Sequence, residues 1–155
     1  MCALAARSLE PHRRRDVMAG QWVWAPSRKP TRSAPIDSLE KHEIVVACEG
    51  FIANVLKPRF LPEIRPSDKW NYPIEIRGAW GAGRYRFLQR YRVGSGPNAG
   101  QEFDAPFARI DRFARNAFAL NWMRHNGQWV PFEADAMPLA EALKVIETVE
   151  IFNPH

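Results

Sequence analysis

Arginine and carboxylate residues alternate with aromatic ones through the middle of this 155-residue chain, and that alternation carries most of what it could do chemically. Glu75 and Arg77 lie two apart in one apolar stretch, and Arg84, Arg86, Arg90 and Arg92 keep even spacing in the next. On extended backbone, where successive side chains point to opposite faces, even spacing gathers such groups on one side. Arg109 and Arg124 follow, with Trp80, Trp122 and Trp129 interspersed. Several guanidinium groups on one sheet face, with indoles or phenols near them for stacking, are equipped to grip phosphates or flat bases. The plainer meaning of the same pattern is cross-strand ion pairing on a solvated face, each pair contributing about 0.2 to 1 kcal/mol. Trp122, Arg124 and Trp129 also admit two meanings, a cation–π group at an exposed hairpin or simple core packing.

Catalytic sets are harder to assemble. Glu102, Asp104 and Asp111 are the densest acidic group, but on an unbroken strand Asp111 falls on the face opposite the other two, so one cluster requires a bulge. Asp68 followed by Glu75-Ile76-Arg77 superficially matches the Asp…Glu-x-Lys set of metal-dependent nucleases. There Arg77 replaces the lysine that would position water, and a guanidinium cannot give up its proton. His12, His42, His125 and His155 have no partner at metal-ligand spacing. Cys2 and Cys48 make neither a disulfide framework nor a zinc quartet. Gly78, Gly81 and Gly83 precede no helix that could present its N-terminus to a phosphate, and read as turn glycines.

The expectation is therefore a non-catalytic binding or interaction module without cofactor or metal. Its contact surface is Glu75, Arg77, Trp80, Arg86, Arg90, Arg109, Trp122, Arg124 and Trp129, and its partner is nucleic acid or an acidic protein. One alternative is a hydrolytic or nuclease-type enzyme using Glu75, Asp104 and His125, which requires those three to converge in a concave pocket. A second is a partner subunit that recruits another chain by strand addition to an unpaired sheet edge.

The charge distribution tempers the nucleic-acid reading. The formal net charge is +5, but residues 1–36 hold seven basic groups (Arg7, Arg13, Arg14, Arg15, Arg28, Lys29 and Arg32) against Glu10 and Asp16. The remaining residues carry 15 basic and 15 acidic groups, so the high overall basicity says nothing of the folded part. Residues 1–36 have prolines, no sustained period and a Ser/Thr/Arg/Lys mixture, which predicts a disordered basic tail ahead of one domain over 37–155. Trp22 and Trp24 are its one anomaly. No apolar run approaches the roughly 18 residues needed to cross a bilayer, and reduced thiols suit a cytoplasmic setting.

The elements that must position these groups follow from periodicity. Asp37 with Glu40 three residues on forms a capping box, and Ile44, Cys48, Phe51, Ile52, Val55 and Leu56 mark one apolar helical face that Pro58 ends. The proline-rich segment 58–66 reads as an extended connector. From Trp70 the period becomes two: Trp70, Tyr72, Ile74, Ile76 and Trp80 share a face, and after the Gly81–Gly83 turn so do Tyr85, Phe87, Tyr91 and Val93. A mobile loop at 94–100 precedes strands around 103–112, 118–124 and 128–132, the last two joined by an Asn126-Gly127 type I′ turn. Pro138 opens a helix with Leu139, Leu143, Ile146 and Val149 apolar. The fold class is α+β, an antiparallel five-stranded meander flanked by an N-terminal and a C-terminal helix.

Four short motifs in this sheet together resemble a small bacterial family, domain of unknown function 3024. They are Ile64-Arg65-Pro66, Glu75-Ile76-Arg77 with Trp80, Pro106-Phe107-Ala108-Arg109, and Trp122 with Arg124 and Trp129. The resemblance spans about residues 63 to 132 and implies a bacterial cytoplasmic protein. It brings no catalytic residue with it.

Overall fold

The computed structural model describes residues 35–154; nearly all of the segment expected to be a disordered tail lies outside them. The chain enters α1 (Ser38–Phe51) through Asp37, whose Oδ1 accepts a 2.7 Å hydrogen bond from the Glu40 amide. The reciprocal half of the expected capping box does not form. Glu40 turns to the sheet instead, and its carboxylate accepts Arg112 Nε–H at 2.7 Å and Nη2–H at 2.8 Å. Both side chains are withdrawn from water, at 9% and 4% exposure.

Ile44, Cys48, Ile52 and Leu56 are all buried, one residue in every four. A strict four-residue spacing overshoots the 3.6-residue turn and drifts around an α-helix. The drift is taken up by a π-helical turn, Ile52–Leu56, after which Lys57 N–H bonds to Ile52 C=O. Such a turn, with its i→i+5 bonds, holds more residues per revolution. It also accommodates Pro58, which has no N–H to offer Asn54 and a ring that would crowd that carbonyl. The helix thus passes the proline as α2 (Lys57–Phe60) instead of stopping there, and the connector is correspondingly shorter.

Five strands follow: β1 (Tyr72–Gly81), β2 (Arg84–Arg92), β3 (Glu102–Ala114), β4 (Ala117–Met123) and β5 (Trp129–Pro131). They form one antiparallel sheet in chain order. Helix α3 (Leu139–Thr148) and a 3₁₀ turn (Glu150–Phe152) close the described chain. The α+β meander with a helix before and after it is therefore the observed fold. Pro138 is the N-cap of α3 and lacks a capping side chain; Asn116 Oδ1 in the β3–β4 turn accepts the Leu139 amide in its place, at 3.2 Å.

Both helices pack on the aromatic face. Ile76, Tyr85, Phe87, Ile110, Phe118 and Leu120 meet the α1 stripe and Ala142, Ile146 and Phe152, all of them buried. The Tyr85 and Phe87 rings stand edge to face with centroids 5.0 Å apart, an arrangement worth about 0.5 to 1.5 kcal/mol beyond area burial. Gly78 lies opposite Phe87, and a Cβ there would sit 1.8 Å from the Tyr85 hydroxyl, so the ring occupies the space a side chain would need.

Two irregularities decide which residues share a face. In β1 the register shifts between Pro73 and Glu75, and Tyr72 pairs with Arg92. Tyr72 thereby joins the charged face and not Ile76, as strict alternation had implied. Trp70 lies before the strand, 76% exposed. Between β2 and β3 the register shifts at Phe87/Leu88, leaving Phe107 as the extra residue beside Pro106. Proline cannot donate to the ladder, which suits it to a bulge. The charged face is left without a helix.

The turns also depart in detail. Ala82 and Gly83 both have positive φ, 52° and 74°, giving the β1–β2 hairpin the type I′ geometry whose twist matches its strands. At Asn126-Gly127 only the glycine does, at 79°. Gly127 N–H donates to Arg124 C=O and Arg124 N–H to Gln128 C=O, each at 2.9 Å. That is a three-residue loop with a glycine bulge, not the expected I′ turn. The loop expected to be mobile is closed by backbone bonds between Val93 and Gln101 at 2.9 Å and Gly100 and Val93 at 2.8 Å.

A buried pair held by two charge-assisted bonds is costly to break from one side. Glu40→Gln is expected to lower unfolding free energy by about 3 to 5 kcal/mol, and Glu40→Leu combined with Arg112→Met to recover much of it. Urea denaturation followed by tryptophan fluorescence measures both.

Candidate binding face

The helix-free face of the sheet carries Glu75 and Arg77 on β1, the even-numbered residues 84 to 92 on β2, Glu102 and Asp104 on β3, and, past the bulge, Arg109 and Asp111. Asn121 of β4 lies opposite Arg109, and Trp129 and Pro131 of β5 share this face. The bulge thus brings Asp111 onto the same side as Glu102 and Asp104. The result is not a metal centre: among the described residues no group of acidic, histidine or cysteine side chains could hold an ion. Each carboxylate is taken by arginine instead.

Two halves of the face differ. In one, Arg90 donates Nε–H and Nη2–H to the two Asp104 oxygens at 2.8 and 3.1 Å, Arg92 donates to Glu102 at 2.7 Å, and Arg77 approaches Asp104 at 3.9 Å. Three arginines meet the three carboxylates Glu75, Glu102 and Asp104, and the charge balances. In the other, Arg109 Nη2–H donates to Asp111 Oδ2 at 2.8 Å, Asn121 donates to the same oxygen at 3.2 Å, and Arg84 approaches at 3.7 Å. Arg109 also lies over the Trp129 ring, 4.7 Å from its centroid. Arg86 pairs in register with Arg109 across β2–β3. It is exposed, and among the described residues no side chain neutralises it. Three arginines therefore share one carboxylate at this end.

The nine residues expected to form the contact surface divide between the faces. Glu75, Arg77, Arg86, Arg90, Arg109 and Trp129 stand on the charged one. Trp80 and Trp122 lie on the other, opposite Tyr85 and Ala108, and pack against the core. Arg124 follows β4 and lines a hollow of about 130 Å³ with His125, Phe107 and Asn153. The arginine stacked on an indole is thus Arg109, whereas the hairpin spacing had pointed to Arg124.

The candidate catalytic set comes together only in part: Glu75 and Asp104 both flank Arg90, and His125 lies apart. Glu75 lines a hollow of about 440 Å³ with Lys57, Tyr72 and Arg90. His125 sits at the β4–β5 turn; β1 and β4 are three strand spacings apart, roughly 14 Å. Hydrogen bonding from Arg90 holds the Asp104 carboxyl below its ordinary value, the wrong direction for a general acid at neutral pH. The Cys48 thiol is fully buried, and burial, reinforced by Glu49, pushes it up to about 12, so it stays protonated and unreactive.

Residues 36–154 match the domain of unknown function DUF3024. The chain belongs to that family. The match takes in both helices, well beyond the sheet motifs that first suggested it. No curated protein and no solved structure matches the chain. Among the described residues of the DUF3024 domain, no helix is long and apolar enough to cross a membrane.

Two outcomes follow for this domain. Asp104, whose folded value lies below the ordinary 3.8, contributes stability above that pH and loses it as pH falls through the depressed value. Below about pH 4 the stability of Asp104→Asn should accordingly fall less steeply than that of the unaltered protein, as urea midpoints taken across the acid range will show. In native protein at pH 8, the peptide containing Cys48 should stay unlabelled by iodoacetamide and become labelled on denaturation, as read by mass spectrometry.

Proposed function

We propose that this protein is a non-catalytic binding module that receives a polyanion on the helix-free face of its sheet, at the end formed by Arg84, Arg86, Arg109 and Trp129. The observation that supports this reading most is the juxtaposition of Arg86 and Arg109. Like charges directly opposite one another across a ladder are destabilising, and Arg86 has no carboxylate among the described residues to relieve it. A conflict of this kind, on an open surface and without a structural return, is the sort of local rule-breaking found at functional positions. A phosphate or carboxylate from a partner supplies the missing counter-charge.

Nucleic acid suits the chemistry better than an acidic peptide because an indole stands at the same end. Trp129 already carries one guanidinium on its ring, and a base can stack against a flat side chain while neighbouring arginines track the backbone. The paired half of the face serves as a balanced rim. The enzyme reading has less support, since His125 lies away from Glu75 and Asp104, which both flank Arg90.

The test is fluorescence anisotropy with labelled single- and double-stranded DNA and RNA, using the full chain and a chain beginning at Pro35, over a range of salt. Binding by the shorter chain should weaken with salt, and Arg86→Gln should reduce both affinity, by about 1 kcal/mol or more, and the steepness of the salt dependence. Loss of all binding on removing residues 1–34, or an unchanged affinity in Arg86→Gln, overturns the assignment to this face.

A further inference from the structure

The sheet has two free edges of unequal character. β5, at one end, spans only Trp129–Pro131 and ends in a proline. β1, at the other, runs for ten residues and has no strand on its outer side among the described residues. Sheet proteins ordinarily blunt such an edge with proline, a bulge, short length or inward charge. Here Pro73 and the adjacent bulge protect only the first residues, leaving Glu75 to Gly81 regular.

We infer that the outer edge of β1 pairs with β1 of a second copy of this chain, antiparallel and centred on Ile76, to make one continuous ten-stranded sheet. The register follows from symmetry and charge. A two-fold axis perpendicular to the sheet keeps the helix-covered faces of both copies on the same side. Cross-strand neighbours must then share a face, and the axis must pass through a residue. Centring on Glu75 or on Arg77 sets like charges against each other. Centring on Ile76 sets Glu75 of each copy opposite Arg77 of the other, twice, on the open face. On the covered face it brings the two Ile76 residues together, and Ile76 is already fully buried within one chain. It also sets Gly78, which has no side chain, opposite the bulged Ile74 of the second copy.

The self-complementary triplet Glu75-Ile76-Arg77 is what selects a second copy over an unrelated strand. A foreign peptide needs only one matching charge pair, whereas identical strands running in opposite directions satisfy both pairs of this sequence at once. The inference is independent of the polyanion reading: the β1 edge and the Arg86 end of the face are separate surfaces, and the dimer leaves Arg86, Arg109 and Trp129 open.

Sedimentation velocity on the full chain over a wide concentration range provides the test, with circular dichroism confirming that each variant is folded. The expected result is a reversible dimer that Glu75→Arg or Arg77→Glu alone weakens about tenfold or more, through like charges placed opposite each other. The double exchange Glu75→Arg with Arg77→Glu restores the opposite-charge pairing and should bring affinity back. A chain that stays monomeric at the highest concentration overturns the inference. So does a dimer indifferent to either single reversal, or a folded double variant no better than the singles.

Discussion

The contact between Glu40 and Arg112 fixes how the helical layer sits on the sheet, and much else depends on it. Removing a carboxylate and a guanidinium from water costs several kcal/mol per ion, so the pair is tolerable only with good geometry and further hydrogen bonding. It has both: two parallel bonds of 2.7 and 2.8 Å, and a position for Glu40 in the first turn of α1, where the helix dipole favours a negative charge. Its value lies in specification. An apolar stripe repeating every fourth residue could lie on a sheet at more than one rotation, because hydrophobic contact is non-directional. A bidentate ion pair at one end of the helix accepts a single rotation, and the π-turn at the other end keeps Ile52 and Leu56 facing inward.

The same pair explains an apparent breach in the sheet's division of labour. Arg112 shares its face with Ala108 and Ile110, both fully buried, and so points an arginine into the core. Every other arginine on β2 and β3 points outward. That regularity depends on the bulge at Phe107: were Phe107 part of an unbroken alternation, Arg109 and Asp111 would turn inward and Arg112 outward. Leaving Phe107 out of the alternation thus sets the buried clamp and the charged outer end together.

The strands, their order and the division into an aromatic and an arginine-rich face were legible because period-two alternation is a direct consequence of backbone geometry. That Tyr85 and Phe87 share one face and Arg84, Arg86 and Arg90 the other could be read without coordinates. The bulges were not, since an extra residue leaves no mark on composition; Tyr72 was consequently assigned to the wrong face, and Asp111 could join Glu102 and Asp104 only on the condition of a bulge, which the structure supplies. Glu40 was recognised as a helix-start residue, but its partner is 72 residues away, and no local rule carries that far. A signal did exist for Arg112, an arginine two residues beyond Ile110 in the same strand, and it required the register to be used. Trp80 and Trp122 show the converse limit. Aromatic residues near arginines suggest stacking, yet an indole's large apolar area makes the core its ordinary place.

A domain with 15 basic and 15 acidic groups beyond residue 36 has no overall field to attract an anion. What a partner meets at close range is the potential within about one Debye length, roughly 8 Å at physiological salt. At that scale the charged face is not neutral. The Arg90 half pairs Asp104 and Glu102 with Arg90 and Arg92, and with Glu75 beside them its charges balance. The Arg86 half has only Asp111 to serve Arg84, Arg86 and Arg109, and Asp111 is engaged by Arg109 and Asn121. Local excess comes from the arrangement and not from composition, so an even charge count and a locally positive surface coexist in one small sheet. The imbalance is directional as well: the face carries excess positive charge at the Arg86 end and balanced charge around Arg90.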